Sequence, residues 1–364
     1  MSEHLTATAP LPLRPELIGK EPYGAPQLDV AVRLNTNENP HSPSAALADD
    51  IVAAVRDVVT DLNRYPDREA TALRSSLADY LTATTGVAHT HADVWAANGS
   101  NEVLQQILHA FAGAGRTVLG FEPTYSMHHT IAESTGATYI AAPRDADYRI
   151  DAAAVVAAIE RHRPDVTFVC TPNNPTGTST PLETIEAIYD ATEGIVVVDE
   201  AYIEFSTQPS AVHLLHGRRR LLVSRTMSKA FGFAGARVGY LAAAPEVVDA
   251  LRLVRLPYHL SSLTQAIALA ALRHRDELLA TVDAVVGQRD RIARELSALG
   301  LTVAPTDANF VLFSAPDGDA TGLWRRLVDA GVLIRDVGFA DRLRVTAGTE
   351  AETTAFLAAL RGLL

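Results

Sequence analysis

The stretch SRTMSKAFGFAGARVGY, from Ser224 to Tyr240, places a single lysine among small, hydroxyl-bearing and glycine residues. It continues the apolar run Leu221–Val223, which is typical of a buried strand. Lys229 therefore follows the end of a strand, beside the hydroxyl groups of Thr226 and Ser228. This position favours a chemical role, and a surface lysine after a strand is the alternative that this stretch alone leaves open.

The same stretch contains the donors that a phosphate group needs. They are the hydroxyls of Thr226 and Ser228 and the bidentate guanidinium of Arg237. An amine beside a phosphate pocket is what an imine with pyridoxal phosphate requires, because the phosphate then holds the aldehyde within reach of Lys229. The stretch therefore predicts a site for pyridoxal phosphate.

Length and composition narrow the class of protein. The 364 residues exceed the usual size of one hydrophobic core, about 250–300 residues, so two unequal domains are expected. With 48% apolar and 20% charged residues, the chain is globular rather than disordered or fibrous. The net charge of −12 argues against nucleic acid as a partner.

The sequence also predicts a cytoplasmic protein. No run approaches the ~18 uninterrupted apolar residues of a membrane helix, and the polar, proline-bearing N-terminus lacks the pattern of a signal peptide. The single cysteine, Cys170, cannot form an internal disulfide, which suits a reducing compartment. Because it lies in an apolar run, we interpret it as a buried strand residue rather than a catalytic thiol.

From residue 93 onward, short apolar runs alternate with helical patterns. This alternation predicts an α/β domain with a largely parallel sheet covered by helices on both faces. One run, Ile195–Val198, is apolar at every position, as a strand buried on both faces should be. The predicted strands are Val94–Ala97, Thr117–Phe121, Thr138–Ala142, Val166–Cys170, Ile195–Val198, Leu221–Ser224 and Val238–Ala242.

The C-terminal part of the chain predicts a small α+β domain. Residues 246–300 are mostly helical, and the strand-like runs Asn309–Ser314 and Leu343–Thr346 lie on either side of a further helix. A long helix near residues 246–275 is expected to join the two domains. The predicted parts are an N-terminal arm at 1–32, a small domain at 33–60 and 265–364, and a large cofactor-binding domain at 61–264.

Polar residues follow several of these strands, at the edge where parallel strands end together. Ser100 and Asn101 open a helix whose N-terminal N–H groups suit an anion, and a simple N-cap is the alternative. Tyr125 could stack on a flat heterocycle or pack in the core. Asn174 could donate to a phenolate oxygen, or its Asn-Pro-Thr-Gly segment could be a turn only.

The acidic residue after the all-apolar run gives the clearest chemical signal. A carboxylate facing a pyridine nitrogen keeps that nitrogen protonated and makes the ring an electron sink, and Asp199 is placed for this role. Tyr202 could form a hydrogen bond with the ring oxygen. Such an aspartate could instead bind magnesium, but the chain has no Gly-rich phosphate loop ending in Gly-Lys-Ser/Thr, and we assign no metal site.

Taken in order, these motifs resemble the fold-type I, pyridoxal-phosphate-dependent aminotransferases of class I/II over nearly the whole chain. They are NGSNE, PTY, PNNPTG, DEAY, SRTMSKAF and FAGARVGY. More narrowly, LNTNENP, NRYPD and LRVTAG resemble the histidinol-phosphate aminotransferase family. The resemblance implies a step of histidine biosynthesis, in which L-histidinol phosphate and 2-oxoglutarate give imidazole acetol phosphate and L-glutamate.

The resemblance also implies a role for each motif residue. Lys229 would bind the cofactor and then move a proton between the substrate Cα and the cofactor C4′. Asp199 would pair with the pyridine nitrogen, Asn174 and Tyr202 with the ring oxygen, and Tyr125 would stack on the ring. The cofactor phosphate would be held by Ser100, Asn101, Thr226, Ser228 and Arg237.

The remaining implied residues concern the second subunit and the substrate. Tyr65 would reach the cofactor phosphate of the other subunit, which implies a homodimer with composite sites. Arg344 would bind the substrate carboxylate, and we expect Arg335 to be the second cation for a phosphate dianion unless it pairs with a neighbouring acid. Tyr23 and Asn37 would close over the substrate.

Three other functions stay open. An aromatic amino acid aminotransferase shares nearly every cofactor motif, and a decarboxylase of a phosphorylated amino acid would keep the cofactor but change the reaction. A ligand sensor fused to a DNA-binding module is the non-enzyme alternative, and the residues before Arg33 do not resemble such a module. The sequence also departs from the family at Ser100-Asn101, where Ala and Asp are common, so one phosphate contact differs in charge.

Overall fold

The computed structural model describes residues 12–14, 17–22 and 24–364. The predicted substrate residue Tyr23 lies outside these described residues. The helices are α1 (Ala45–Val59), α2 (Thr71–Thr85), α3 (Ser100–Phe111), α4 (Ser126–Ser134), α5 (Ala152–His162), α6 (Leu182–Ala191), α7 (Pro245–Val254), α8 (Ser262–Arg273), α9 (Arg275–Ala298), α10 (Ala320–Asp329) and α11 (Glu350–Leu363). The strands are β1 (Val32–Arg33), β2 (Val94–Ala97), β3 (Thr117–Glu122), β4 (Thr138–Pro143), β5 (Val166–Cys170), β6 (Ile195–Asp199), β7 (Leu221–Thr226), β8 (Gly239–Ala242), β9 (Phe310–Ser314), β10 (Val332–Leu333), β11 (Arg335–Asp336) and β12 (Arg342–Thr346).

The large sheet has seven strands in the order β2-β8-β7-β6-β5-β3-β4. The pairs from β7 through β6, β5 and β3 to β4 are parallel, whereas β8 is antiparallel to both of its neighbours. Helices cover both faces, so the predicted fold class is confirmed. In such a sheet the carboxyl ends of the parallel strands lie at one edge, where open α/β sheets bind their ligands.

Strand β6 shows why the sheet needs apolar residues on both faces. Val196 and Val198 belong to a core cluster with helices α1, α2, α5, α6 and α8, and Val197 belongs to a second cluster with α3, α4 and α7. All three side chains are 0% exposed. Because successive strand residues point to opposite faces, an unbroken apolar run is what a doubly covered strand requires.

A smaller unit packs beside this sheet. Strands β11, β12 and β9 form an antiparallel sheet, and β1 pairs in parallel with β10. The link between the two cores is α9, because Leu278 belongs to the large-sheet cluster whereas Val285 and Ile292 belong to the small one. The sequence predicted that one long helix near residues 246–275 would form this link. That prediction is wrong, because these residues form two separate helices, α7 and α8. The domain boundaries given above stay a prediction.

The described part of the N-terminal arm lies on the large unit. Arg14 donates to the carbonyl oxygen of Ser134 at 3.2 Å, and Lys20 forms an ion pair with Glu133 at 2.5 Å. Both partners lie in α4, which packs on the large sheet. None of the helices within the described ranges combines the length and the apolar character needed to cross a membrane.

Candidate active site

One cavity lies where the strand ends of the large sheet meet the small unit. Its lining includes residues from the loops after β3, β5, β6 and β7, from the start of α3, and from β11 and β12. Most of the residues predicted for the cofactor and substrate line it together, and Tyr65 does not. The predicted residues in the lining are Asn37, Ser100, Asn101, Tyr125, Asn174, Asp199, Tyr202, Thr226, Ser228, Lys229, Arg237, Arg335 and Arg344.

Lys229 lies in the loop that follows β7, with its amine inside the cavity. The Nζ atom donates to the carbonyl oxygen of Thr36 at 2.9 Å and lies 5.9 Å from the centre of the Tyr202 ring. Burial lowers the pKa of Lys229 to about 8, with nearby Arg344 acting in the same direction. More of the amine is therefore uncharged near neutral pH, which is the form that attacks a carbonyl carbon.

A group of donors lines one end of the cavity at the N-terminus of α3, where Ser100 begins the helix. The Thr226 hydroxyl donates to the Ser228 hydroxyl at 3.0 Å, and Arg237 Nη1 donates to the same Ser228 oxygen at 3.4 Å. Helix N-terminal N–H groups, hydroxyls and a guanidinium together form a site for a phosphate.

Two glycines allow these groups to approach so closely. A Cβ atom at Gly99, whose φ is +86°, would collide with the guanidinium of Arg237. A Cβ atom at Gly239 would collide with the backbone of Gly99 and Ser100, since β8 begins against the start of α3. Glycine is therefore needed at both positions to bring the strand, the helix N-terminus and the arginine together.

Asp199 ends β6 and is 2% exposed. Its Oδ2 atom lies 3.0 Å from His128 Nε2, and the His128 ring stacks on Phe168 with the ring centres 4.4 Å apart. Within the described residues, Asp199 Oδ1 is buried without a hydrogen-bond partner. A buried carboxylate oxygen in a cavity wall without a partner calls for a donor from a bound molecule.

His128 is a site residue that sequence reasoning missed. It is 0% exposed and follows Tyr125 by three positions, so the two residues face the same side of α4. The sequence PTYSMHH offers this spacing as the only signal, and a lone histidine on an apolar helix face is more often a core residue. Because an ionised carboxylate can only accept, Nε2 of His128 carries the hydrogen.

The residues predicted to bind the cofactor ring are held by neighbours within the cavity. The Tyr125 hydroxyl donates to Asn101 Oδ1 at 3.2 Å. Asn174 Oδ1 accepts from Arg344 Nη1 at 2.5 Å, which fixes the amide and leaves its NH₂ group for another acceptor. The Tyr202 hydroxyl accepts from the side chain of Asn37 at 2.9 Å.

Arg335 and Arg344 form a cross-strand pair in the small sheet, because they are register partners of β11 and β12. Arg344 also donates to the carbonyl oxygen of Asn35 at 2.9 Å, and its guanidinium lies 5.0 Å from the Phe310 ring centre. The side chain of Arg335 makes no hydrogen bond or ion pair with any residue that the structure describes. Like charges directly opposite each other are unfavourable, so this pair suits an anion.

The Asn-rich loop, Arg33–Pro40, lies across the cavity and is tied to the rest of the protein through its amides. Asn35 Nδ2 donates to the Pro26 carbonyl at 2.9 Å, and Asn39 Nδ2 donates to the Ala230 carbonyl at 3.0 Å. The sequence alone cannot identify these partners, since Ala230 lies far from Asn39 along the chain.

Tyr65 lies away from this cavity. It is 79% exposed, and its ring stacks on that of Tyr258 with the ring centres 4.3 Å apart. Arg255 forms an ion pair with Glu69 at 2.6 Å and so ties the segment after Tyr65 to the segment before Tyr258. Tyr65 is therefore held outside the lining of the cavity of its own chain.

The cavity fits the cofactor that the sequence predicted. Pyridoxal phosphate needs an amine, an anion site, a flat contact and a carboxylate for its ring nitrogen. Lys229 supplies the amine and the α3 N-terminus the anion site. Tyr125 supplies an aromatic face, and the buried Oδ1 of Asp199 supplies an acceptor without a partner among the described residues.

Fold and site together define an aminotransferase of class I and II. The model of the family "Aminotransferase class I and II" matches residues 30–360, and the chain belongs to this family. Among its relatives, the histidinol-phosphate aminotransferase of Mycolicibacterium smegmatis is 58% identical over 361 residues, which cover 99% of this chain and 95% of that protein.

Two further relatives agree with this assignment. The histidinol-phosphate aminotransferase of Nocardia farcinica is 59% identical over 95% of this chain and 90% of its own length. The crystal structure of histidinol-phosphate aminotransferase from Sinorhizobium meliloti in complex with pyridoxal-5'-phosphate is 27% identical, with a TM-score of 0.81 over 92% of each chain. The resemblance that the motifs predicted is confirmed.

Proposed function

We propose that this chain is a pyridoxal-phosphate-dependent transaminase. It moves an amino group between L-histidinol phosphate and 2-oxoglutarate, giving imidazole acetol phosphate and L-glutamate, in histidine biosynthesis. Relatives named histidinol-phosphate aminotransferase, at 57–59% identity, support the proposal. The structural observation on which it depends most is the pair of arginines in the cavity, Arg335 and Arg344. When bound, pyridoxal phosphate supplies the aldehyde that takes up the amino group and a ring that withdraws electrons from it.

The residues of the cavity have distinct tasks in this proposal. Lys229 would bind the cofactor through its amine and, once released, would move a proton between the substrate Cα and the cofactor C4′. Asp199 would accept the N–H of the pyridine ring, and His128 holds the carboxylate in place through Oδ2. Asn174 and Tyr202 would donate to the ring oxygen, and Tyr125 would cover one face of the ring.

The two arginines explain how one pocket accepts both substrates. Histidinol phosphate carries a phosphate ester where glutamate carries a carboxylate. Arg344 is fixed by Asn174 and Asn35 and offers two donors to either anion. Arg335 lies on the adjacent strand and adds a second cation, which a dianion needs more than a monoanion does.

Arg335→Ala should therefore harm the two half-reactions unequally. Loss of a hydrogen bond to a charged group costs about 1.5–3 kcal/mol, so the rate constant for histidinol phosphate divided by its KM should fall roughly tenfold to a hundredfold. The glutamate half-reaction should fall less. The measurement is single-turnover kinetics with each amino donor, read from the absorbance of the bound cofactor.

Arg342→Ala is the matched control, because Arg342 lies on β12 outside the cavity lining and contacts Asp341 at 3.4 Å. It should leave both half-reactions near the wild-type values. Equal losses from Arg335→Ala in both half-reactions, or a wild-type preference for phenylalanine over histidinol phosphate, would favour an aromatic amino acid aminotransferase instead.

The proposal includes a cytoplasmic homodimer with composite sites. Tyr65, at 79% exposed, stacks on Tyr258, and two apolar side chains that shortly precede Tyr258 in the sequence are also largely exposed, Leu253 at 86% and Leu256 at 75%. An exposed apolar group of this kind marks a protein interface. A second copy placed there would bring Tyr65 of one protomer to the cofactor phosphate of its partner.

Dimers that carry Tyr65→Phe on one protomer and Lys229→Ala on the other should test this arrangement. Each such dimer keeps one site in which Lys229 meets an intact Tyr65 of the partner. Since a hydrogen bond to a charged group is worth about 1.5–3 kcal/mol, that site should bind pyridoxal phosphate roughly tenfold to a hundredfold more tightly than a Tyr65→Phe homodimer does. The measurement is a cofactor titration of co-expressed, tag-separated mixed dimers.

The Tyr65→Phe homodimer is the control for weak binding and the wild type for tight binding. If the mixed dimer bound the cofactor as weakly as the Tyr65→Phe homodimer, Tyr65 would act within its own chain or not at all. A monomer in sedimentation analysis would also contradict composite sites.

A further inference from the structure

A chain of hydrogen bonds with a fixed direction ends at the Tyr202 hydroxyl. The backbone N–H of Asn37 donates to Thr346 Oγ1 at 3.0 Å, and the Thr346 hydroxyl donates back to Asn37 Oδ1 at 3.0 Å. Asn37 Nδ2 donates to the Tyr202 hydroxyl oxygen at 2.9 Å. Asn37 is 1% exposed, Thr346 3% and Tyr202 4%, so water does not compete for these groups.

The direction follows from the number of hydrogens that each group owns. A backbone N–H can only donate, so the single hydrogen of the Thr346 hydroxyl is left for the amide oxygen of Asn37. With that oxygen facing Thr346, the NH₂ group of Asn37 must face Tyr202. The Tyr202 oxygen accepts this bond, and its own hydrogen finds no acceptor in the part of the chain that the structure describes.

The backbone of the Asn-rich loop holds this arrangement in place. Asn37 has a φ of +55°, a left-handed conformation that asparagine tolerates better than most residues. Its carbonyl oxygen accepts from Asn309 Nδ2 at 3.1 Å. Thr346 lies two residues after Arg344 on β12. The series of hydrogen bonds therefore runs from the small sheet to the loop after β6.

We propose that Thr346 and Asn37 are positioning residues that turn the Tyr202 hydroxyl so that it donates its hydrogen into the cavity, to the ring oxygen of the cofactor. This inference rests on the proposed function, since it requires the cofactor at Lys229. It assigns Asn37 a role through Tyr202, in addition to any contact with the substrate.

The charges around Tyr202 keep its hydroxyl a donor. Burial raises the pKa of Tyr202, Cys170 and Asp199 act in the same direction, and Arg344 and the Asn37 hydrogen bond act against them. Together these effects raise the pKa of Tyr202 above the ordinary value of a tyrosine, so the hydroxyl keeps its hydrogen near neutral pH. The charged or titratable groups that face it are Lys229 from the loop after β7, Arg344 from β12, Cys170 from β5 and Asp199 from β6.

Thr346→Val tests the proposal, because it removes one hydroxyl and keeps the shape of the side chain. A donor to the ring oxygen stabilises the negative charge that rests there when the Lys229–cofactor imine loses its proton. Loss of this donor should therefore raise the pKa of the imine by roughly 0.5–1 unit, the worth of one neutral hydrogen bond. The measurement is the visible absorbance of the bound cofactor against pH.

A double-mutant cycle separates positioning from a general loss of structure. Tyr202→Phe should raise the imine pKa at least as much as Thr346→Val does, and adding Thr346→Val to Tyr202→Phe should cause no further shift. Thr346→Ser, which keeps the hydroxyl, should restore the wild-type pKa. Thr353→Val is the matched control, because Thr353 is 0% exposed on α11 and its hydroxyl has no partner among the described residues.

Should Thr346→Val fail to fold, Asn37→Gly measures the same shift, since glycine accepts the left-handed backbone and removes the amide. An unchanged imine pKa in the folded variants would overturn the proposal, as would an equal shift from Thr346→Val with and without the Tyr202 hydroxyl. A wild-type protein that shows no imine absorbance with pyridoxal phosphate would instead overturn the proposed function itself.

Discussion

Replacing Lys229 with alanine should abolish transamination, with a loss of about 10⁴-fold or more in turnover. In the proposed function, the change removes both the amine that binds the cofactor and the group that carries the proton between Cα and C4′. No neighbouring amine can replace it, because the only other lysine in the chain is Lys20. The measurement is steady-state transamination of histidinol phosphate with 2-oxoglutarate, with protein saturated in cofactor.

Lys20→Ala is the control for this prediction. Lys20 is exposed and pairs with Glu133 on α4, and a surface ion pair of this kind is worth at most about 1 kcal/mol of stability. Activity of Lys20→Ala should equal that of the wild type. Turnover by Lys229→Ala within tenfold of the wild-type rate would show that the lysine has another purpose.

The lowered pKa of Lys229 adds a pH dependence to the same account. A base whose pKa is lowered by burial loses its proton at a lower pH, so the uncharged amine becomes the main form above about pH 8. The rate at which the protein without cofactor takes up pyridoxal phosphate should therefore rise with pH up to about 8 and then level off.

Asp199→Ala should have the second-largest effect. The carboxylate is 2% exposed, so it would face the ring nitrogen in a dry environment where loss of one partner of a buried ion pair costs about 3–5 kcal/mol. The rate of proton removal from the substrate Cα should fall by roughly two to four orders of magnitude. Lys229 should still bind the cofactor, since its amine is untouched.

The comparison with Asp199→Asn isolates charge from shape. The amide keeps the size of the carboxylate, and its oxygen can still accept from His128 Nε2, but its neutral NH₂ group cannot hold a positive ring nitrogen. Its loss in rate should approach that of Asp199→Ala. The measurement is single-turnover kinetics with α-deuterated substrate, and wild-type kinetics for either variant would refute the role of Asp199.

The sequence predicts the large sheet well because its strands carry a local signal. The run Ile195–Val198 is apolar at every position, and strand β6 extends one residue further, to Asp199. The strands β10 and β11 have two residues each and depend on partners in β1 and β12, so no local pattern identifies them. The periodicity of apolar residues cannot predict which strands pair when they lie far apart in the sequence.

The candidate site also has a part that the sequence predicts and a part that it does not. Asp199, Asn174 and Lys229 follow strands of a parallel sheet, and the rule that such strands end at one edge predicts that they meet. The contact of His128 with Asp199 could not be predicted, because it depends on how α4 packs on the sheet. The contact of Thr346 with Asn37, from which we infer the direction of the Tyr202 hydroxyl, also joins residues far apart in the sequence.

The roles of the individual cavity residues rest on one claim, that Lys229 forms the covalent link to the cofactor. The direct measurement is borohydride reduction of the protein with pyridoxal phosphate, followed by peptide mass spectrometry. With two lysines in the chain, the result is unambiguous. The account predicts one phosphopyridoxyl group per chain on the peptide that contains Lys229, with Lys20 unmodified, whereas a label on Lys20, or none at all, would contradict it.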